Sequence, residues 1–215
     1  MKDKNSRWAL SPEQCAAVFR IRTKRAEKVY RHNMTIWDGR GAILLNGQGT
    51  EPLRSMKYGK YSMEWNGCEI IACANVLTML GLGEPLPQIV REFMLNGMPF
   101  VFPGGYWGTA PRQLWRFLDS RGVEYRRCDR ADELEKGAAA AECGIVSFWN
   151  NRLSEARLRG LDFFSGGLHT VAFRRTLRGY EVFDLYSNDT APRPIGSPAE
   201  IYRDKRFIVG YLFNK

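Results

Sequence analysis

One cysteine and one histidine stand in contexts suited to nucleophilic chemistry. Cys68 lies in WNGCEIIACANVLTMLG, where a glycine-containing loop runs into an apolar helical pattern. His169 lies in GGLHTVAFRRT, where a Gly-Gly turn runs into a strand-like stretch. A thiol at a helix N-terminus is biased towards thiolate by the helix dipole. An imidazole on a strand has a fixed orientation from which to take the thiol proton. The chain has 2 histidines, and His32 ends a basic amphipathic stretch, which leaves His169 as the candidate base. The opposing reading is a small buried thiol and a core histidine, because unpaired cysteine is among the most buried residue types. The two local contexts favour chemistry. If the pair works, its sulfur and ring nitrogen lie within about 4–5 Å even without substrate, and side chains facing opposite sides of the fold exclude it.

The elements that must position this pair are read from turn signals and periodicity. Ser11-Pro12-Glu13-Gln14 is a capping box with proline in the first turn, opening a helix to about Arg31. Trp37 to Glu51 form a turn-rich connector around Ala42-Ile43-Leu44-Leu45, with one strand at most. Lys57–Asn66 is extended and aromatic. Cys68–Leu80 is a helix, stopped by Gly81, and its near-total apolarity implies packing on several sides. Further helices are expected at about Pro87–Leu95, from Thr109 to Ser120, and at Ala131–Glu142. Strands follow at Gly144–Trp149, Leu168–Arg174, Tyr180–Tyr186 and Phe207–Phe213, with Arg178-Gly179 turning the middle pair into a hairpin. Helices first and an antiparallel sheet after them is an α+β order, with the cysteine on the helical half and the histidine on the sheet half. Tyr106-Trp107, in the Gly-rich loop Gly104–Gly108, are candidates for lining a cleft between the halves or for plugging the core. The loop lacks the Lys-Ser/Thr pair of a phosphate loop.

Bulk composition narrows the classes. The chain has 215 residues, 44% hydrophobic and 26% charged, which suits a globular protein of one domain with an appendage. The formal net charge is +9. The cations are spread over Arg20–Arg31, Arg112–Arg130, Arg152–Arg159 and Arg174-Arg175, so a solvated basic surface is expected rather than a nucleic-acid site. No run is long enough to span a bilayer, and the N-terminal residues lack an apolar leader core, so a cytoplasmic protein is expected. The 5 cysteines (Cys15, Cys68, Cys73, Cys128, Cys143) fit neither a disulfide framework nor a metal motif. Reduced thiols, no metal and no cofactor are expected.

The order of Cys on a helix, His on a strand and Asp on the next strand resembles the papain-like cysteine peptidase superfamily. The bacteriocin-leader peptidases and their relatives are the most similar branch. The resemblance runs from about Lys57 to Phe213, through Asn66-Gly67-Cys68 and its helix, Thr109–Tyr125, Gly144–Trp149, Gly167-Leu168-His169 and Tyr180-Glu181-Val182-Phe183-Asp184. It implies a papain-like α+β domain at 51–215, preceded by a helical extension and connector at 1–50. It also implies a cysteine-dependent hydrolase, a peptidase or amidase working through an acyl-enzyme on a peptide or acyl substrate. In that scheme Cys68 is nucleophile, His169 base and then acid, and Asp184 the orienter of the imidazole, with Asn188 as a rival orienter. The chain departs from the pattern in two places. No Gln precedes the cysteine at short range, which leaves Asn66 as the oxyanion candidate. Glu69 follows it, a carboxylate that raises the thiol pKa. These departures keep an acyltransferase, or a catalytically silent module that binds peptide or protein, as alternatives.

Overall fold

The computed structural model describes residues 11–98, 108–152 and 167–214. Tyr106, Trp107 and most of the Arg152–Arg159 cluster lie outside them. Helix α1 (Pro12–Trp37) starts at the expected capping box, where the Ser11 hydroxyl accepts from the Gln14 N–H and the Gln14 side chain accepts from the Ser11 N–H. It runs two turns past Arg31 because Asn33 and Trp37 are buried. The short strands β1 (Lys57–Tyr58) and β2 (Tyr61–Ser62) form a hairpin that leads through the one-turn helix α2 (Met63–Asn66) into α3 (Cys68–Met79). Helices α4 (Leu86–Leu95), α5 (Trp115–Ser120) and α6 (Ala131–Ala138) follow; Pro111–Gln113 is a 3-10 turn in place of the first part of the expected third helix.

The sheet is antiparallel and six-stranded, in the order β3 (Arg126–Cys128), β8 (Lys205–Phe213), β4 (Cys143–Arg152), β5 (Leu168–Thr176), β6 (Gly179–Phe183), β7 (Arg193–Ile195). The α+β class expected from the sequence is therefore present. β3 and β7, both three residues long, were not anticipated. They form the two edges, with Arg126 and Arg127 exposed on one and Pro194 opposite Glu181 on the other.

Each face of the sheet carries its own core. On one face, Cys143, Ile145, Ala172, Val209, Tyr211 and Phe213 pack against Ile70, Ile71, Phe93 and Phe117 from the helices. On the other, Val146, Phe148, Val171, Phe173 and Val182 pack against Leu134 of α6 and the 3-10 turn around Ile201. α3 is buried on all sides from Cys68 to Leu77, as its uniform apolarity requires.

The connector before residue 50 belongs to this body. Trp37 and Leu45 sit in the same core as Ile70 and Phe93. The Asn75 amide accepts from the Leu45 N–H at 2.7 Å and donates to its carbonyl at 3.0 Å. A side chain thus takes both backbone bonds that a strand would have used, and Ala42–Leu45 forms no strand. Trp37 and Leu45 thus pack with residues that follow position 50. Trp37→Ala, which removes a fully buried side chain, is expected to destabilise the whole chain by about 3–5 kcal/mol. Phe19→Ala, on the exposed first half of α1, should stay within about 0.5 kcal/mol. Urea unfolding followed by near-UV circular dichroism distinguishes them. A Trp37→Ala protein with an unaltered midpoint would make residues 1–50 a true appendage.

Candidate functional site

The site is built at the N-terminus of α3. Gly67 links α2 to α3 in a space where any Cβ would collide with the Met63 carbonyl, 2.5 Å away. α3 then begins at Cys68, where the sequence places it. Glu69 is the second residue of the helix and is 1% exposed. The backbone N–H groups of Glu69 and Thr109 point at its carboxylate. Thr170 Oγ1 donates to Oε1 at 3.3 Å, and the Cys68 thiol to Oε2 at 3.3 Å. Gly108 closes the site with φ +73°, and a Cβ there would stand 3.2 Å from Glu69 Oε2, so both its conformation and its closeness require glycine.

Burial pushes the Glu69 carboxyl up to about 7, against the lowering effect of those donors. Cys68 is pushed well above the usual thiol value, by burial first and by the Glu69 carboxylate second; the Thr170 N–H at the sulfur opposes both, and Asp184 adds to the rise. The thiolate expected at the helix N-terminus is thus opposed, by burial first and by Glu69 second.

His169 does not face this thiol. β5 alternates its side chains, and Thr170 and Ala172 take the α3 side. Val171 and Phe173 sit in the other core, and by the same alternation His169 shares their face, paired with Phe148. His169 is paired across the ladder with Phe148, and the two rings meet edge-on at 5.7 Å between centroids. Its Nε2 lies 2.7 Å from the Asp184 carbonyl oxygen. A carbonyl only accepts, so Nε2 carries the proton. Burial, the largest influence, holds the imidazole below its ordinary pKa and therefore neutral near pH 7.

Asp184 meets the ring through its backbone carbonyl and not through its carboxylate. It has left-handed backbone, φ 61°, at the end of β6. That conformation turns the carboxylate away from the imidazole and onto the connector, where Oδ1 accepts from the Gln48 N–H at 2.7 Å. The carboxyl is buried, its Oδ2 has no hydrogen-bond partner, and desolvation raises it to about 7.

Asn66, the oxyanion candidate, donates its amide to the Tyr58 carbonyl at 3.1 Å and so ties α2 to the hairpin. Asn188, the rival orienter, is exposed beside Gly49. The sequence reading missed Thr170, Thr109 and Gln48. Gln48 reaches the site from the connector, donating its side-chain amide to the Glu64 carbonyl. Among the described residues no cluster of three His, Cys, Asp or Glu side chains is placed to hold a metal ion, and no helix is long and apolar enough to cross a membrane. Comparison with protein-family models, with curated proteins and with solved structures brings no match.

What the arrangement does chemically is store protons. The Glu69 carboxyl is raised from an ordinary value of 4.5 to about 7. Its contribution to stability is full below about pH 4.5 and is lost as pH rises through 7, because the folded state binds the extra proton between those values. Glu69→Gln keeps an acceptor oxygen and removes the charge. It is expected to be more favourable, relative to the parent, at pH 8 than at pH 5, by a few kcal/mol. Urea denaturation at both pH values measures this; a difference independent of pH would mean that Glu69 is not neutralised by burial.

Proposed function

We propose that this chain is a papain-like α+β module that binds a peptide or partner protein and in which Cys68 is not a hydrolytic nucleophile. One observation carries the reading. The thiol spends its proton on the buried Glu69 carboxylate, with Thr170, not His169, on the strand facing it. An acyl-enzyme needs a thiolate, or a base that accepts the thiol proton as the bond forms. The imidazole that would supply this lies on the far face of β5, bonded to the Asp184 carbonyl. The nearest charges are carboxyl groups, which oppose both a thiolate and an oxyanion. Hydrolase and acyltransferase readings require the Cys68–His169 pair and lose their base together. The order of elements around Cys68 and the antiparallel sheet support the papain-like frame.

Alkylation at pH 7 tests this reading. Cys15 is exposed, while Cys68, Cys73, Cys128 and Cys143 are buried. Iodoacetamide is expected to label Cys15 rapidly and Cys68 no faster than the other buried thiols, with His169→Ala leaving the Cys68 rate unaltered. Peptide aldehydes should form no adduct. Selective labelling of Cys68 in the folded protein, slowed by His169→Ala, would restore the catalytic pair and overturn the proposal.

A further inference from the structure

An open groove of about 630 Å³ lies between the middle of α1, the end of α4 and the β1–β2 hairpin, and Cys68 is not among its lining residues. Its α1 wall is a single helical stripe, Val18, Ile21, Arg25, Lys28 and His32, spaced three or four residues apart so that all face one way. At 1.5 Å per residue the stripe is about 21 Å long, the length of a helix of about four turns. Val29, Met94 and Met98 give it an apolar floor. Ile21 is 59% exposed and Val18 43%.

Both walls are fixed. Asn33, buried in α1, donates to the Lys57 carbonyl at 2.9 Å and accepts from the Lys57 N–H at 2.8 Å, so the hairpin cannot drift from the helix. Arg22 reaches across to the Leu95 carbonyl, 3.5 Å, and lies against Gly97, where a Cβ would meet the guanidinium at 2.5 Å. The groove carries Arg22, Arg25, Lys28, Lys57 and Lys60, and no carboxylate among its described lining residues. Arg25, Lys28 and Lys57 form no ion pair among the described residues; the nearby Glu27 is engaged by Arg91. A concave apolar floor between two cationic rims fits one kind of occupant, because a bare polyanion would leave the floor unused and a flat surface would not enter the groove.

We propose that this groove docks an acidic amphipathic helix of a partner protein, about four turns long, with its apolar face on Ile21, Val29 and Met94 and its carboxylates towards Arg25, Lys28 and Lys57. The proposal deepens the binding-module reading by naming surface and partner. Its test leaves Cys68 untouched, so reactivity at Cys68 and failure of the groove are separate results. The probe is a fluorescein-labelled synthetic helix with leucines at positions three and four apart and glutamates elsewhere, titrated with the full chain in fluorescence anisotropy. A scrambled peptide of the same composition, a leucine-lysine version, single-stranded oligo(dT) and phosphatidylserine vesicles are run beside it. The patterned acidic helix is expected to bind, the scrambled peptide at least about tenfold more weakly, and the lysine version not at all. Arg25→Glu with Lys28→Glu should weaken binding by about tenfold, whereas Arg20→Glu with Lys24→Glu, the same charge reversal on exposed positions of α1 outside the groove, should alter it less than about twofold. Equal binding of the scrambled peptide, equal effects of the two double variants, or tighter groove-dependent binding of oligo(dT) or of vesicles would each overturn the proposal.

Discussion

A carboxylate taken out of water must be given hydrogen bonds or a proton, and Glu69 receives both. Its partners come from three separate parts of the chain: the first turn of α3, Thr109 after the glycine at 108, and Thr170 on β5. Satisfying one side chain therefore fixes how the central helix meets the sheet. It also decides what Cys68 is. The helix terminus favours a thiolate by about 0.3–1 kcal/mol. Burial opposes it most, and an ionised carboxylate oxygen 3.3 Å from the sulfur adds about 5 kcal/mol at an effective dielectric of about 20. The opposing effects win, so the residue becomes a hydrogen-bond donor in a structural network.

The global outline of this chain is legible in its pattern; the direction of its key side chains is not. The capping box at Ser11, the apolar run of α3 and the turn at Arg178-Gly179 each mark an element that the structure contains, because caps, helical burial and tight turns are local effects. β5 is different. Thr170 and Ala172 are buried on one face and Val171 and Phe173 on the other, so two-residue periodicity carries no polarity that tells which face receives α3. A shift of one residue exchanges His169 for Thr170 at the thiol, and only the tertiary arrangement decides it. Asp184 fails similarly. It meets His169 through its carbonyl at 2.7 Å, while its carboxylate accepts from the Gln48 N–H. Gln48 was illegible because its route to the site is the irregular connector, whose backbone bonds are made by the distant Asn75.

Charge is segregated between interior and surface. The chain carries a net +9, yet the two carboxyls that act on Cys68 in the interior, Glu69 and Asp184, are raised to about 7. Near neutrality these are partly protonated, so they add little negative field outside. On the outside stand arginines and lysines of α1 and the hairpin; among the described residues Arg25, Lys28 and Lys57 form no ion pair, while Arg121 and Arg91 are paired to Glu84, Glu92 and Glu27. The burial of the acids and the unbalanced cations of the groove are thus two aspects of one distribution.

The sheet ends on both sides in strands of three residues. Pro194 in β7 has no N–H to offer a further strand, and Arg126 and Arg127 in β3 crowd the opposite border with positive charge. A second chain approaching edge to edge meets an interrupted ladder on one side and like charge on the other. Growth of the sheet across molecules is thereby blocked at both margins, which protects a protein with two apolar cores from fibril-like stacking when it is crowded.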